Sequence, residues 1–306
     1  MSWHLTEPRM KISNSPITKH KFEGIEFFLK RDDLLHPQFS GNKARKFMYL
    51  LQSVRPQVKT LISYGSPQAN SLYSLAALCK LKGWTLEYYV DRIPDWLRNK
   101  PIGNYDGAIK LGAKVIAVHD TSLHPVDFIQ TIRCPDSSCL VVAEGGREQD
   151  AQVGVKGLAD EIYRWGQSQE SMDFVVALPS GTGTTSAYLQ SFLKPYGTEV
   201  ITCPCVGGKD YLIDQIQSLD VEHHPNILQL DSKHHFGKLY HNDYLIWQAL
   251  LEQTQVEFDL LYDPMMWQCL LNWHPNNSDK TILYIHQGGV LGNESMLPRY
   301  QRKFDR

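Results

Sequence analysis

From residue 58 to 118, and again from 139 to 206, short β-branched and aromatic runs take turns with segments whose apolar residues recur at helical spacing. No other feature constrains the fold as much. Strands separated by helices pair in parallel through crossovers, which puts helices on both faces of a sheet. IEFFLKRDD (25–33), VKTLISYG (58–65), TLEYYV (85–90), KVIAV (114–118) and CLVVAEGG (139–146) read as strands. MDFVVALPSGTG (172–183) reads as a strand running into a loop, and TEVITCPCV (198–206) as a further strand. ARKFMYLLQSV (44–54), NSLYSLAALCKLKG (70–83), GNYDGAIKLGA (103–113), GVKGLADEIYRWGQ (154–167) and TTSAYLQSFL (184–193) read as helices. In the second of these, Leu72, Leu75, Ala76 and Cys79 share one side and Gly83 supplies the stop. The expected class is α/β with mostly parallel, twisted sheets flanked by helices. Ligands in that class gather at the carboxyl ends of strands.

The 306 residues suffice for one large or two medium domains with a sizeable core. A formal net charge of −2, without a Lys/Arg block, argues against nucleic acid as a partner. No run approaches the ~18 apolar residues of a membrane span. The opening MSWHLTEPRMKIS lacks the basic-then-apolar layout of a secretory signal, so a cytoplasmic protein is expected. The cysteines at 79, 134, 139, 203, 205 and 269 are then expected as reduced thiols. Cys203-Pro204-Cys205 is too tight for structural zinc. His223-His224 and His234-His235 have no partner pair at ligand spacing, so they read as polar loop residues and no metal is expected.

Three polar strand-to-helix junctions carry candidate chemistry. In LPSGTGTTSAYL (178–189), Gly181 and Gly183 let the backbone approach a ligand, and Thr182, Thr184 and Thr185 add hydroxyls at a helix start. Unpaired N–H groups and the helix dipole favour a phosphate there. No Gly-Lys-Ser/Thr follows, which argues against a nucleoside triphosphate, and a well-capped helix explains the same residues. In SYGSPQANSLYSLA (63–76), Gln68, Asn70 and Ser71 open a helix and suit a carboxylate or an aromatic oxygen, or else Asn70 or Ser71 is a simple N-cap. In FSGNKARKFMYLL (39–51), Lys43 follows the turn Ser40-Gly41-Asn42 and precedes an apolar stripe. An ordinary lysine, with a pKa of about 10.4, is protonated and inert; burial frees the amine to form an imine with an aldehyde. Lysine, phosphate cradle and carboxylate site together point to pyridoxal 5'-phosphate acting on a small amino acid.

On these residues the chain resembles the fold-type-II pyridoxal-phosphate enzymes, the tryptophan synthase β-like superfamily. Within it, the chain is similar to the 1-aminocyclopropane-1-carboxylate deaminase / D-cysteine desulfhydrase family. FFLKRDDL followed by SGNKARKFMYLL carries the likeness, with GSPQANS, GNYDGAIKLGA, EGG (144–146), GTGTT (181–185), YDP (262–264) and HQGG (286–289) in order. The resemblance implies that Lys43 holds the cofactor and shuttles the substrate's α-proton. It places Lys46 near the phosphate and Gly181 to Thr185 around it. Asn70 would meet the ring hydroxyl, and Gln68, Asn70 and Ser71 would hold the substrate carboxylate. It also implies two α/β domains around one cleft, residues 46–152 forming the smaller and 1–45 with 153–306 the larger, and a homodimer.

The chain departs from the family at Ala69 and Ser71, where the family has serine and histidine. The family also reads Asp-Pro-Val-Tyr and then Glu, for the cyclopropane-opening deaminase, or a hydroxyl residue, for the desulfhydrase. Setting YDPMMWQCLL (262–271) on that motif by its Asp-Pro puts Met266 on the tyrosine and Trp267 on the acid. Neither can act as acid, base or carboxylate. The expectation is therefore elimination from a β-substituted amino acid, giving ammonia and an oxo acid, with Gln287 as a candidate contact to the ring nitrogen. Ring opening is the alternative reading; others are a binding member without turnover and a phosphosugar- or nucleotide-binding protein.

Overall fold

The computed structural model describes residues 12–119, 122–169 and 173–305. Most of the opening stretch, residues 1–11, and Met172 lie outside them. Strands β1 (Ile17–Phe22), β2 (Ile25–Lys30), β3 (Thr60–Tyr64), β4 (Thr85–Val90) and β5 (Lys114–Ala117) are followed by β6 (Cys139–Val141), β7 (Phe174–Ser180), β8 (Glu199–Pro204), β9 (Asn226–Ile227) and β10 (Thr281–Ile285). They form two sheets, one ordered β1-β2-β10-β7-β8-β9 and one ordered β5-β4-β3-β6. Every pairing is parallel except β1 with β2. Glu23 and Gly24 close that hairpin with φ of 47° and 85°, the doubly positive turn that matches strand twist.

Parallel strands buried on both faces need apolar residues at every position, and β7 and β10 supply them. Val175, Ala177, Ile282 and Tyr284 face a core containing Trp247, Phe258 and Trp267. Val176, Leu178, Leu283 and Ile285 face the opposite core, filled by Val155, Leu158, Ile162 and Leu189. The smaller sheet buries Leu61, Leu86 and Tyr88 against Leu72, Leu75 and Leu78 of the helix Asn70–Lys82. That helix ends at Gly83, in the left-handed conformation expected of a stop.

The helix expected over 44–54 starts earlier and is broken. It runs Gly41–Lys46 and resumes at Met48–Gln52, with Phe47 at φ −95°, ψ 9° between. Phe47 is fully buried, its ring wedged against Gly146, where a Cβ would lie 2.7 Å away. Among the described residues no helix is long and apolar enough to cross a membrane, and no cluster of three or more metal-ligating side chains forms.

Candidate active site

The carboxyl ends of β3 and β7, with the segments that follow β2 and β10, surround one cavity of about 280 Å³. Lys43, Lys46, Gln68, Asn70, Ser71, Gly181, Thr182, Gly183, Thr184 and Thr185 all line it. The three junctions, read separately in the sequence, thus converge.

The lysine turn is tied down by Gln287. Asn42 donates its backbone N–H to the Gln287 carbonyl (3.0 Å) and its Nδ2 to Gln287 Oε1 (3.0 Å). Gln287 Nε2 in turn donates to the Pro179 carbonyl at the end of β7 (2.6 Å). Gly41, at φ +64°, lies so close that a Cβ would sit 1.9 Å from the Gln287 oxygen. The amide oxygen of Gln287 thus holds the lysine turn and its nitrogen ties that turn to β7, while the residue still lines the cavity.

Behind the turn, Arg45 points away from the cavity into a buried charge network. It makes paired bonds to Asp32 (2.9 and 2.7 Å) and to Glu161 (both 2.8 Å). Lys30 joins at Glu161 Oε2 (2.6 Å) and at the Ser15 carbonyl (2.6 Å). Burial alone would raise the Glu161 carboxyl, but its bonds to Arg45 and Lys30 hold it down at about 2.

Lys43 and Lys46 are one helical turn apart and share a face. Burial pulls the Lys43 amine down to about 8, against the opposing effects of a bond to Lys46 and the charge of Glu144. Lys46 is pushed well down by burial and then by Lys43; its amine donates to the Gly145 carbonyl. Opposite them, Gly183 takes φ +72° ahead of the ten-residue helix Thr184–Leu193, whose first N–H groups open on the cavity. Two lysine amines beside a helix N-terminus form a donor set that fits a phosphate and an aldehyde. The residues present thus fit the cofactor.

On the other wall, the helix Asn70–Lys82 is capped by Ala69, not by Asn70 or Ser71. Asn70 instead donates to Asp259 Oδ2 (3.2 Å) and accepts from Asn104 (2.7 Å). Ser71 shares a hydrogen bond with the Tyr88 hydroxyl (3.2 Å). Asp259 is a residue that sequence reasoning missed: burial lifts its carboxyl to about 6, against the N–H of Leu261 and the amide of Asn70.

The greatest change concerns the acid motif. Met266 and Trp267 are fully buried in the core of the large sheet, where Trp267 stacks on Tyr284 at 5.0 Å. Neither lines the cavity; Asp259, Leu261, Tyr262 and Asp263 do. Asp259-Leu260-Leu261-Tyr262-Asp263 has the spacing Asp-x-x-Tyr-acid, so the correct register lies four residues earlier than the Asp-Pro match. Asp263 accepts from the Tyr284 hydroxyl (2.5 Å) and from the Asp259 N–H (2.8 Å). Burial, and then the charge of Asp259, lift it to about 8. The histidines of the sequence reading lie elsewhere: His234 bonds Asp243 (2.8 Å), and His224 contacts the Val221 carbonyl.

The family model described as "Pyridoxal-phosphate dependent enzyme" matches residues 9–224. A D-cysteine desulfhydrase of Serratia proteamaculans is 24% identical over 313 residues, covering 92% of this chain and 94% of its own. The crystal structure of an ACC deaminase homologue superposes with a TM-score of 0.78 at 20% identity, covering 97% of this chain and 96% of its own. That of an O-acetylserine dependent cystathionine beta-synthase from Helicobacter pylori does so with a TM-score of 0.67 at 13% identity, covering 96% and 98%. The two structural likenesses are likenesses of fold, that of tryptophan synthase β.

Proposed function

We propose, from the premise that this chain belongs to the pyridoxal-phosphate-dependent enzymes, that it removes ammonia from a small amino acid by elimination and leaves an oxo acid, as a D-cysteine desulfhydrase does. The observation that carries the reading is one cavity holding a lysine amine depressed to about 8, a glycine-threonine cradle and the polar loop of Gln68, Asn70 and Ser71. Pyridoxal phosphate, when bound, supplies the electron sink that makes the α-proton of an amino acid removable.

The residues divide the remaining work. Lys43 holds the cofactor and moves the α-proton, because its amine is unprotonated near neutral pH more often than a surface lysine's. Lys46 and the backbone from Gly181 to Thr185 hold the phosphate. Gln68, Asn70 and Ser71 orient the substrate carboxylate. Tyr262 and Asp263 line the same cavity, where Tyr262 would exchange a proton at the substrate and Asp263 would hold one at the ring nitrogen. Leu261, Val206 and Phe236 form the apolar side of the cavity. The division of the chain at 46–152, which the two sheets support, and a cytoplasmic homodimer belong to the same reading.

Opening of a cyclopropane amino acid is the second reading, and one observation favours it: a carboxylate, Asp263, beside Tyr262 at the position where the family's deaminases carry glutamate. Steady-state assays with D-cysteine, L-cysteine, β-chloroalanine and 1-aminocyclopropane-1-carboxylate decide between them. Oxo acid from the first three alone supports elimination, and oxo acid from the last supports ring opening. Holoprotein without product from any of the four overturns both.

A further inference from the structure

We infer that Arg147 selects substrates whose side chain carries a second anionic group, an oxyanion that departs in the elimination. This rests on the elimination reading above. Arg147 lines the cavity. Its Nη1 donates to a neutral partner, Gln215 Oε1 (2.9 Å), and its Nη2 to Glu144 Oε2 (3.2 Å). Its Nε is buried and has no hydrogen-bond partner among the described residues. The Nε and Nη2 edge of a guanidinium is built for the two oxygens of a carboxylate, sulfate or phosphate. Here that edge is engaged at one corner only, by a carboxylate that is 44% exposed. Such an ion pair is weak and readily exchanged.

The turn that carries Arg147 is wedged in place. Gly145 and Gly146 take φ of 71° and 66°. A Cβ on Gly146 would meet the Phe47 ring, and one on Gly145 would lie 3.3 Å from the Thr182 methyl. Gln215 belongs to the helix Gly208–Gln217, and its neighbours Leu212 and Ile216 pack under Gly183. Glu144 reaches the other way, to within 3.1 Å of a Cβ position on Gly65. Arg147 therefore lies between the loop assigned to the α-carboxylate and the loop assigned to the cofactor phosphate. Arg147 lines the same cavity as Gln68, Asn70 and Ser71, so an amino acid held there by its α-carboxylate would meet Arg147 through its β-substituent. Asp259 and Asp263 do not compete for Arg147, because their oxygens accept from Leu261, Asn70, Tyr284 and Asp259 N–H.

For a phosphoserine-like substrate the Cα–H and Cβ–O bonds break. The α-proton goes to the Lys43 amine and the Cβ–O electron pair leaves with inorganic phosphate. Water then converts the remaining enamine to pyruvate and ammonia, with no net oxidation.

The test compares O-phosphoserine with β-chloroalanine, each as both enantiomers, in wild type, Arg147→Gln and Arg147→Lys holoprotein. The ratio of kcat/KM for the anionic over the neutral substrate is expected to fall about 10- to 100-fold in Arg147→Gln, and less in Arg147→Lys. Cofactor retention on dialysis is expected to hold. An unchanged ratio overturns the inference. So does an equal fall for both substrates with loss of cofactor, which assigns Arg147 to the cofactor's phosphate instead. If wild type turns over neither substrate, the elimination reading fails, and binding decides the inference. O-phosphoserine should then perturb the cofactor's absorbance in wild type at a concentration at least about tenfold lower than in Arg147→Gln; equal half-saturation overturns the assignment.

Discussion

Gly41 and Gln287 approach so closely that one added methyl group at Gly41 would lie 1.9 Å from the Gln287 carbonyl oxygen. The contact joins the turn before Lys43 to the end of the central strand β10, 246 positions along the chain (287 − 41). Gly41 also sits at φ +64°, where an L side chain is strained. Gly41→Ala is expected to cost about 2–4 kcal/mol in stability. Thermal unfolding of the apoprotein measures the loss, and a Tm within a degree of wild type would show that the turn can move aside.

Lys43→Ala is expected to abolish the long-wavelength absorbance of the holoprotein and the pyridoxyl-peptide found after borohydride reduction. In wild type, the rate at which apoprotein captures cofactor should rise with pH and level off just above about 8, because only the unprotonated amine reacts and burial depresses Lys43 to that value. An ordinary lysine would keep climbing beyond pH 10, at roughly its unperturbed pKa of 10.4. The same shift bears on stability. The folded chain releases this proton earlier than the unfolded chain, so the contribution of Lys43 grows more favourable as pH rises from about 8 towards 10.5.

Arg45→Met should destabilise the fold by about 3–5 kcal/mol, since it takes both guanidinium bonds from the buried Asp32 and leaves Glu161 paired with Lys30. The variant should also alter the acid limb of stability. Glu161 is held at about 2 in the folded chain, so its contribution is present above the ordinary carboxyl value and is lost as pH falls towards 2. Urea titrations between pH 3 and pH 7 test this, and a wild-type slope in the variant would refute the role of Arg45.

The register of the acid motif gives a paired test. Asp263→Asn is expected to lower kcat by about 10²- to 10⁴-fold with cofactor bound. Trp267→Phe should keep turnover while losing about 1–2 kcal/mol of stability. Its Nε1 has no hydrogen-bond partner among the described residues, so the variant gives up packing alone. The reverse pattern would restore the register in which Trp267 stands at the acid position.

From β2 to β8 most elements were legible because each signal was local. Strand β4 and the helix Thr184–Leu193 fall on the residues that periodicity marked, and Gly83 stops its helix as its freedom at positive φ predicts. The last third was not read. The helix Asp263–Trp273 buries Met265, Met266, Trp267, Cys269 and Leu270, so it lacks the polar stripe that betrays a surface helix. The helix Asn293–Phe304 carries Pro298 inside it. Strand β1, near the other end of the chain, was not read either, because ITKHKF is a charged edge with little apolar alternation. The misplaced motif has a simple cause. Asp263-Pro264 reproduces two letters of the family's Asp-Pro, and a dipeptide match outweighed the spacing Asp-x-x-Tyr-Asp, which the fold uses. Asp259 was missed because its long-range partner, Asn70, becomes a neighbour only once both sheets have assembled.

That meeting of Asn70 with Asp259, across 189 positions, ties the helix that follows β3 to the segment ahead of the helix Asp263–Trp273 like a clasp. Its strength varies with acidity. Burial lifts Asp259 to about 6; above that pH the clasp is charge-assisted, and below it the clasp joins two neutral groups. Opening at this contact is therefore expected to depend on pH. Mildly acidic solution should loosen the mouth, and hydrogen exchange at the amides of Gln68 to Ser71 should quicken before the rest of the fold responds.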